Sequence, residues 1–381
     1  TELVHIGDEI SWYYDMEKPT ALKVIREIRP KYAQEDGGVL IAELPARPVE
    51  KGNAGPGLIA RILYDKFVNH LPLDRQRRIF KSDYKVEFAE SWLSDTVRNG
   101  TFWLTSPYDS YVARILSCGY LQADETPIPV LTKDKKGKTH RGYFWVYHDP
   151  LSGTVIFDYR KSRSREGPNS FLSTFKGILQ IDGYEGYNEI IARNGLSRAG
   201  CMDHVRRRFE KALEYDKDRA THALDCMRDW YGIEREARDD NLTAEDRLAL
   251  RKDKVAVSME AFEKWMREQV RIVLPKSPIG SALSYALDQW AHFRPYLEDG
   301  RVELSNILVE NAIRPVALGR KNFLFAGSHE AAQRAAVVYS LAATAHRHGC
   351  EPFVYFKELL TALPGAMQSQ IDNFLLPAWK P

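Results

Sequence analysis

The chain is poor in cysteine. Four occur in 381 residues (Cys118, Cys201, Cys226 and Cys350), and no two form a C-x-x-C pair. That excludes a dense disulfide framework and reads as the reduced thiols of a cytosolic protein. An excess of one charge sign is lacking too: 54 basic against 52 acidic side chains leave a formal charge of +2. No global field draws in nucleic acid, so any basic surface has to be local. The longest apolar run, near Ala335 to Ala345, is too short to span a bilayer. No basic-then-apolar leader precedes Glu2, so secretion is not expected. The chain opens on Thr1 rather than Met, as a fragment does, or a chain that has lost its initiator. What is present is ordinary for a globular protein: 44% hydrophobic and 28% charged residues. The length favours two or three domains.

Residues 1–55 read as a small β-rich domain. "EISWYYD" and "TALKVIREIRP" carry aromatic and β-branched residues, and "AQEDGGVLIAELPARPVEKGNAGPG" reads as a loop-like linker. Over 56–115 the spacing turns helical, with Leu58, Ile59, Ile62, Leu63, Phe67 and Leu71 in phase. Two short helices around Ser82-Asp83-Tyr84 fit a helix-turn-helix, and fit an ordinary helical hairpin equally well. Strands return in "YLQADETPIPVLT", "RGYFWVYHDP", "GTVIFDYR" and "ILQID", with a short helix at "GPNSFLSTFKG"; this is a mixed α/β pattern. Residues 206–302 form a helical block, marked by Leu224, Met227, Trp230 and Tyr231, then Met259 to Val273, then Ile279 to Trp290. Thr243 reads as an N-cap, and a late helix is expected from Ser328 to Gly349. A C-terminal helical tail occupies 350–381.

Two runs nearly repeat: "LQAD" at 121–124 and "LQID" at 179–182. Side chains alternate across a strand, so Gln122 shares a face with Asp124 and Gln180 with Asp182. If the strands are neighbours in register, the two aspartates stand abreast at strand ends, where α/β sheets gather function. Gly183 lets the chain turn away behind Asp182. Two close carboxylates repel unless a cation lies between them, and hard oxygen ligands suit Mg²⁺ or Mn²⁺. The plainer reading, in which each aspartate caps a neighbouring turn or helix, stands beside this one. Glu310 adds a third acid, four residues after Asn306 on a helix; a surface pair with Arg314 accounts for it equally well.

Further pieces then fall in order: "GPGLIARILYDKFVNHLPLDRQ", "ADETPIPVL", "GYFWVY", "QIDGYEGYN", "CMDHVRRRF", "LPKSPIGSALSYALDQW", "VENAIRPVALGRKNFLFAGS" and "HGCEPFVYFKELLTALP". This collinear set resembles the IS66-type family of bacterial insertion-sequence transposases. The resemblance implies an α/β RNase H-like DDE core with a mixed sheet, split into 116–205 and 303–349 by an all-helical insertion at 206–302. It places Asp124, Asp182 and Glu310 on the three catalytic, metal-binding acids. It implies two Mg²⁺ or Mn²⁺ ions and DNA as partner, both terminal inverted repeats and target. It also implies a homodimer or larger assembly on DNA, accessory proteins of the same element, and a bacterial cytoplasmic, nucleoid-associated setting without a membrane. Relatives often carry a cysteine zinc module ahead of "GPGL"; here Gln34 stands where a ligand cysteine is expected, and no zinc is expected.

The remaining signals are basic. "YRKSRSREG" clusters Arg160, Lys161, Arg163 and Arg165, Arg206 and Arg207 open a helix, and "GRKNF" brings Arg320 and Lys321. Each suits contacts to DNA backbone, and each suits ordinary surface ion pairing. Cys201-x-x-His204 lacks a partner pair for zinc and reads as structural or substrate-orienting. The expected function is metal-dependent phosphodiester hydrolysis followed by strand transfer at the ends of an insertion sequence. A catalytically inactive DNA-binding remnant and a metal-dependent nuclease without strand transfer are the alternatives.

Overall fold

The computed structural model describes residues 4–17, 21–34, 38–49, 52–132 and 138–377. The chain forms two compact units: 1–112 with 128–141 and 315–381, and 113–127 with 142–314. Among the described residues, no helix is long and apolar enough to cross a membrane.

The first unit begins with strands β1 (Val4–Glu17) and β2 (Ala21–Ala33), antiparallel with Tyr13 opposite Ile25, and a short β3 (Val39–Ile41) beside β2. The loop-like stretch read at 33–57 thus contains one short strand; its residues 35–37, 50 and 51 lie outside the described set. Helices α1 (Pro56–Phe67), α2 (Leu73–Asp83) and α3 (Glu90–Ile115) follow. The Asp15 carboxylate of β1 accepts the Leu58 amide at 2.9 Å, so it satisfies one of the free donors at the start of α1.

The helices around residues 82–84 are not both short. α2 ends at Asp83, but α3 runs for 26 residues. Its sequence is rich in Ser and Thr and contains Gly100 and Pro107, all weaker helix formers than Ala or Leu. Burial overrides propensity, because Leu93, Val97, Leu104 and Tyr111 form one buried stripe. The hydroxyls of Thr96, Thr101 and Thr105 bond back to carbonyls one turn earlier, so they cost the helix little. The unit closes with α13 (His329–Arg347), N-capped by Ser328, and α14 (Pro352–Ala362).

The second unit carries most of the five-stranded mixed sheet, the end of β4 and the start of β5 being counted with the first. Its strands are β4 (Tyr120–Leu131), β5 (Thr139–His148), β6 (Val155–Arg160), β7 (Ile178–Gln180) and β8 (Ser197–Ala199), in the order β6-β5-β4-β7-β8. β5 and β6 are antiparallel, whereas β4–β7 and β7–β8 are parallel. Short helices α4 (Glu166–Phe171) and α5 (Asn188–Asn194) provide the crossovers that parallel strands need.

A helical block follows β8: α6 (Met202–Ala212), α7 (Lys217–Asp239), α8 (Ala244–Lys254), α9 (Ala256–Gln269), α10 (Pro278–Trp290) and α11 (Arg294–Glu298). Thr243 does cap α8, accepting the Asp246 amide. Arg206 and Arg207 do not open their helix. α6 starts four residues earlier, at Met202, behind an extended Cys201 whose side chain makes no cap. Val270 and Val273 fall beyond the end of α9. The block shares one core with the sheet: Tyr120 and Ala199 are buried with Phe209, Trp230, Phe262 and Leu283. Inside it, Glu234 binds Arg251 at 2.6 Å and Arg247 at 2.7 Å, a buried ion network tied by hydrogen bonds to Tyr296. The last helix of the unit, α12 (Ile307–Phe323), begins here and carries Glu310 in its first turn.

Candidate active site

The site grows from the parallel pairing of β4 and β7. Tyr120 lies opposite Ile178, Leu121 opposite Leu179 and Gln122 opposite Gln180. Extending that register by two residues puts Asp182 abreast of Asp124. β7 has ended by then, and the chain turns at Gly183, whose φ of +107° is open to glycine and strained for other residues. The Asp182 carboxylate accepts the Tyr184 amide at 2.9 Å, and its backbone carbonyl accepts the Tyr285 hydroxyl at 3.0 Å. Asp182 is thus held in place within a turn, while its second carboxylate oxygen remains turned toward His204.

The two glutamines of the repeated "LQ" are buried and do what sequence reasoning did not foresee. Gln122 donates to the Gln180 side-chain oxygen at 2.9 Å and to the Ser305 carbonyl at 3.0 Å, and accepts the Val309 amide at 3.3 Å. Gln180 donates to the carbonyls of Gly200 at 2.8 Å and Glu303 at 2.7 Å. Tyr120 completes the knot, donating to Gln180 at 2.6 Å and accepting the Glu303 amide at 3.0 Å. Buried polar groups need such partners. Their effect is to stitch the segment just ahead of α12, and so Glu310, onto the strands that carry the aspartates. The signal was in the sequence, in the repeat itself: two glutamines at equivalent places on neighbouring strands.

Glu310 bonds Arg207 of α6 at 2.6 Å, so its partner is not the Arg314 weighed from sequence. His204, one turn before Arg207, stands between the acids. Its Nε2 is 4.0 Å from Asp182 Oδ2 and its Nδ1 is 3.8 Å from Glu310 Oε1. Both His204 Nδ1 and Glu310 Oε1 are buried and have no hydrogen-bond partner among the described residues. Asp124 is held well above the usual carboxylate range, at about 8. Burial is the main cause, the charge of adjacent Glu125 adds to it, and Asp182 and Glu310 raise it further. Glu125, the other residue missed from sequence, is clamped by Arg163 at 2.7 Å and by the Tyr187 hydroxyl at 3.4 Å. The Arg163 guanidinium in turn lies 4.0 Å over the Tyr184 ring.

The three carboxylates thus form one cluster: Asp182 and Glu310 flank His204, and the charges of both are felt at Asp124, whose carboxyl is driven toward neutrality. That donor set is hard and short of positive charge, so it fits a divalent cation of the Mg²⁺ or Mn²⁺ class. Among the described residues, the one set of three ligand atoms that all lie within 4.8 Å of one another comes from Cys201, His204 and Glu310 rather than from the three acids. The Cys201 thiol is pushed up to about 12, chiefly by burial, which disfavours the thiolate that a soft metal needs.

The chain matches the family model described as Transposase IS66 family over residues 51–334. The chain belongs to the IS66 family of transposases. Three proteins of Sinorhizobium fredii are similar along its length. Uncharacterized protein y4qI is 32% identical, over 100% of this chain and 73% of its own. Uncharacterized protein y4hP is 30% identical, over 100% and 72%, and uncharacterized protein y4jD 30%, over 99% and 76%.

The basic residues of this IS66 member divide by place. Arg163 and Arg207 enter the acid cluster through Glu125 and Glu310. Arg160 pairs with Asp158 on its own strand at 2.6 Å, and Lys161 is exposed in the turn that follows. Arg206 faces away from the cluster, to Glu210 at 2.9 Å and Asp203 at 3.5 Å. Arg320 and Lys321 occupy the last turn of α12, whereas Glu310 is in its first. Arg320 is half-buried, with burial and Arg141 lowering its guanidinium pKa, and Lys321 is exposed.

Proposed function

We propose that this IS66 protein is a DNA transposase whose phosphodiester chemistry is performed at Asp124, Asp182 and Glu310. We read the β6-β5-β4-β7-β8 sheet as an RNase H-like core and the helices α6–α11 as its insertion. The family supports a role in transposition in general terms. What supports the finer reading is the β4–β7 register, which when extended two residues past Gln122–Gln180 brings Asp124 alongside Asp182, together with the Gln122–Gln180 knot that ties the segment ahead of Glu310 to the same strands.

Asp124, Asp182 and Glu310 would hold the cations. Bound there, divalent ions activate the attacking water or 3′-hydroxyl and neutralise charge on the leaving oxygen. The protein's own groups supply the rest. Tyr184 and Tyr285 fix the turn that presents Asp182. Arg207 fixes one oxygen of Glu310 and leaves the other facing the pocket. His204 is placed to hydrogen-bond a phosphate oxygen or a bound water between the acids. Arg163 and Arg207 add positive charge beside a phosphate that gains negative charge during reaction. The partner is DNA, element ends and target alike. Contact to its backbone rests on these local cations, so binding weakens as salt rises.

The test is incubation with DNA bearing the element's terminal inverted repeats and Mg²⁺ or Mn²⁺, beside Asp182→Asn. Wild type should nick and join, and the variant should do neither. Equal cutting by the two removes the acids from the mechanism. Cut ends that never join to target reduce the protein to a nuclease.

A further inference from the structure

Beyond the acid pocket, one face of α6 is unused. His204, Arg207, Arg208 and Lys211 follow at i, i+3, i+4 and i+7, which places them in one stripe along the helix. The stripe starts at the acids, through His204 and Arg207. It then runs about 10 Å along the helix to Lys211, at 1.5 Å per residue. An open cleft of about 810 Å³ lies along it. The facing wall comes from α10, which packs on α6, and is uncharged where it lines the cleft: Pro278, Ser281 and Ala282. At the far end stands Tyr215, 71% exposed.

Several neighbouring cations of the helical block are matched locally: Arg206 with Glu210, Arg219 with Asp216, Arg228 with Asp225. Among the described residues, neither Arg208 nor Lys211 has a carboxylate partner. The Arg208 guanidinium instead lies 3.8 Å over the Tyr285 ring, which holds it in place without neutralising it. Glu210 is occupied by Arg206, which leaves Glu214 as the opposing acid near the far end.

We propose that this cleft is a track for single-stranded DNA, in which Arg208 and Lys211 hold successive phosphates of the strand flanking the cut and Tyr215 stacks on a base. The inference rests on the acid pocket being the phosphodiester site, because that is what gives the stripe its starting point. A concave groove with ordered cations and a terminal aromatic ring is how proteins hold single strands without reading sequence. Cations on the α6 wall alone, facing an uncharged α10 wall, offer one row of phosphate contacts, which suits one strand rather than a duplex.

The test uses the full chain in EDTA, so that no cutting occurs. Binding of a labelled oligothymidylate of about a dozen nucleotides, in the size range of sequence-neutral strand sites, is followed by fluorescence anisotropy across a salt series. A duplex of equal length serves as competitor. Arg208→Ala with Lys211→Ala should weaken strand binding about tenfold and lower the slope of log affinity against log salt by about 1.4, two contacts at about 0.7 each. Arg208→Lys with Lys211→Arg should keep the slope. Tyr215→Ala should weaken binding severalfold and leave the slope alone. Strand binding and slope unchanged in the double alanine variant would overturn the track. Equal loss of duplex binding would overturn the single-strand assignment. Because this arm needs no divalent metal and spares the three acids, its failure is separate from that of the cleavage reading, which Asp182→Asn reports.

Discussion

Asp124→Asn keeps the shape of the side chain and removes its charge. In metal-free protein the Asp124 carboxyl is lifted from its ordinary 3.8 to about 8, chiefly by burial and then by Glu125, Asp182 and Glu310. A carboxyl raised on folding binds its proton more tightly in the native state. The stability it contributes is therefore complete below about 3.8, declines as pH rises, and is gone by about 8. At about 1.4 kcal/mol per pKa unit the ceiling on this loss is roughly 6 kcal/mol. Water entry and side-chain relaxation bring it to about 2–3 kcal/mol. The variant escapes the loss. Its midpoint of thermal unfolding in EDTA should match wild type near pH 4 and exceed it by roughly 5–10 °C at pH 8.5, given about 2–4 °C per kcal/mol for a unit of this size. Added Mg²⁺ should close the gap by stabilising wild type alone. A difference between variant and wild type that does not change with pH would refute the reasoning.

Three further outcomes follow from the structure. Gln122→Leu leaves the Ser305 carbonyl buried without its donor and the Val309 amide with only the Asn306 carbonyl, so urea unfolding should show a loss of about 1–3 kcal/mol, and cleavage should fall further than DNA binding as Glu310 loosens. Glu234→Gln leaves Arg251 and Arg247 under-compensated in the core and should cost about 3–5 kcal/mol at pH 7 by the same assay. Burial alone would raise Glu234, but Arg251, Tyr296 and Arg247 pull it down to about 2; the wild-type advantage is thus full above the ordinary 4.5 and should shrink as pH falls toward 2. Gly57→Ala would drive a methyl into the Met16 carbonyl oxygen and the Asp15 carboxylate, parting α1 from β1, and should cost about 1–3 kcal/mol by thermal circular dichroism.

Local chemistry was legible in the sequence, and tertiary reach was not. The strands at 120–131 and 178–180 stood out by their β-branched runs, and their near-repeat foretold a shared register. Thr243 and Ser328 announced their helices because an N-cap is a one-residue signal. The start of α6 was missed because Cys201 gives no such signal, and the length of α3 because burial outweighed poor propensity. Which cation would meet Glu310 could not be read from spacing: Arg314 is four residues away, yet Arg207, 103 residues away in sequence, makes the bond. The buried roles of Gln122 and Gln180 depend on backbone groups at 303–309, which only the folded chain brings near.

The central claim is that three distant acids form one site for a hard divalent cation. Isothermal titration of Mn²⁺ into wild type and into Asp124→Asn, Glu310→Gln double variant measures it directly, with no DNA needed. The account predicts saturable binding to wild type that is lost in the variant while its fold, followed by circular dichroism, is retained. Equal Mn²⁺ binding by the two proteins would contradict it.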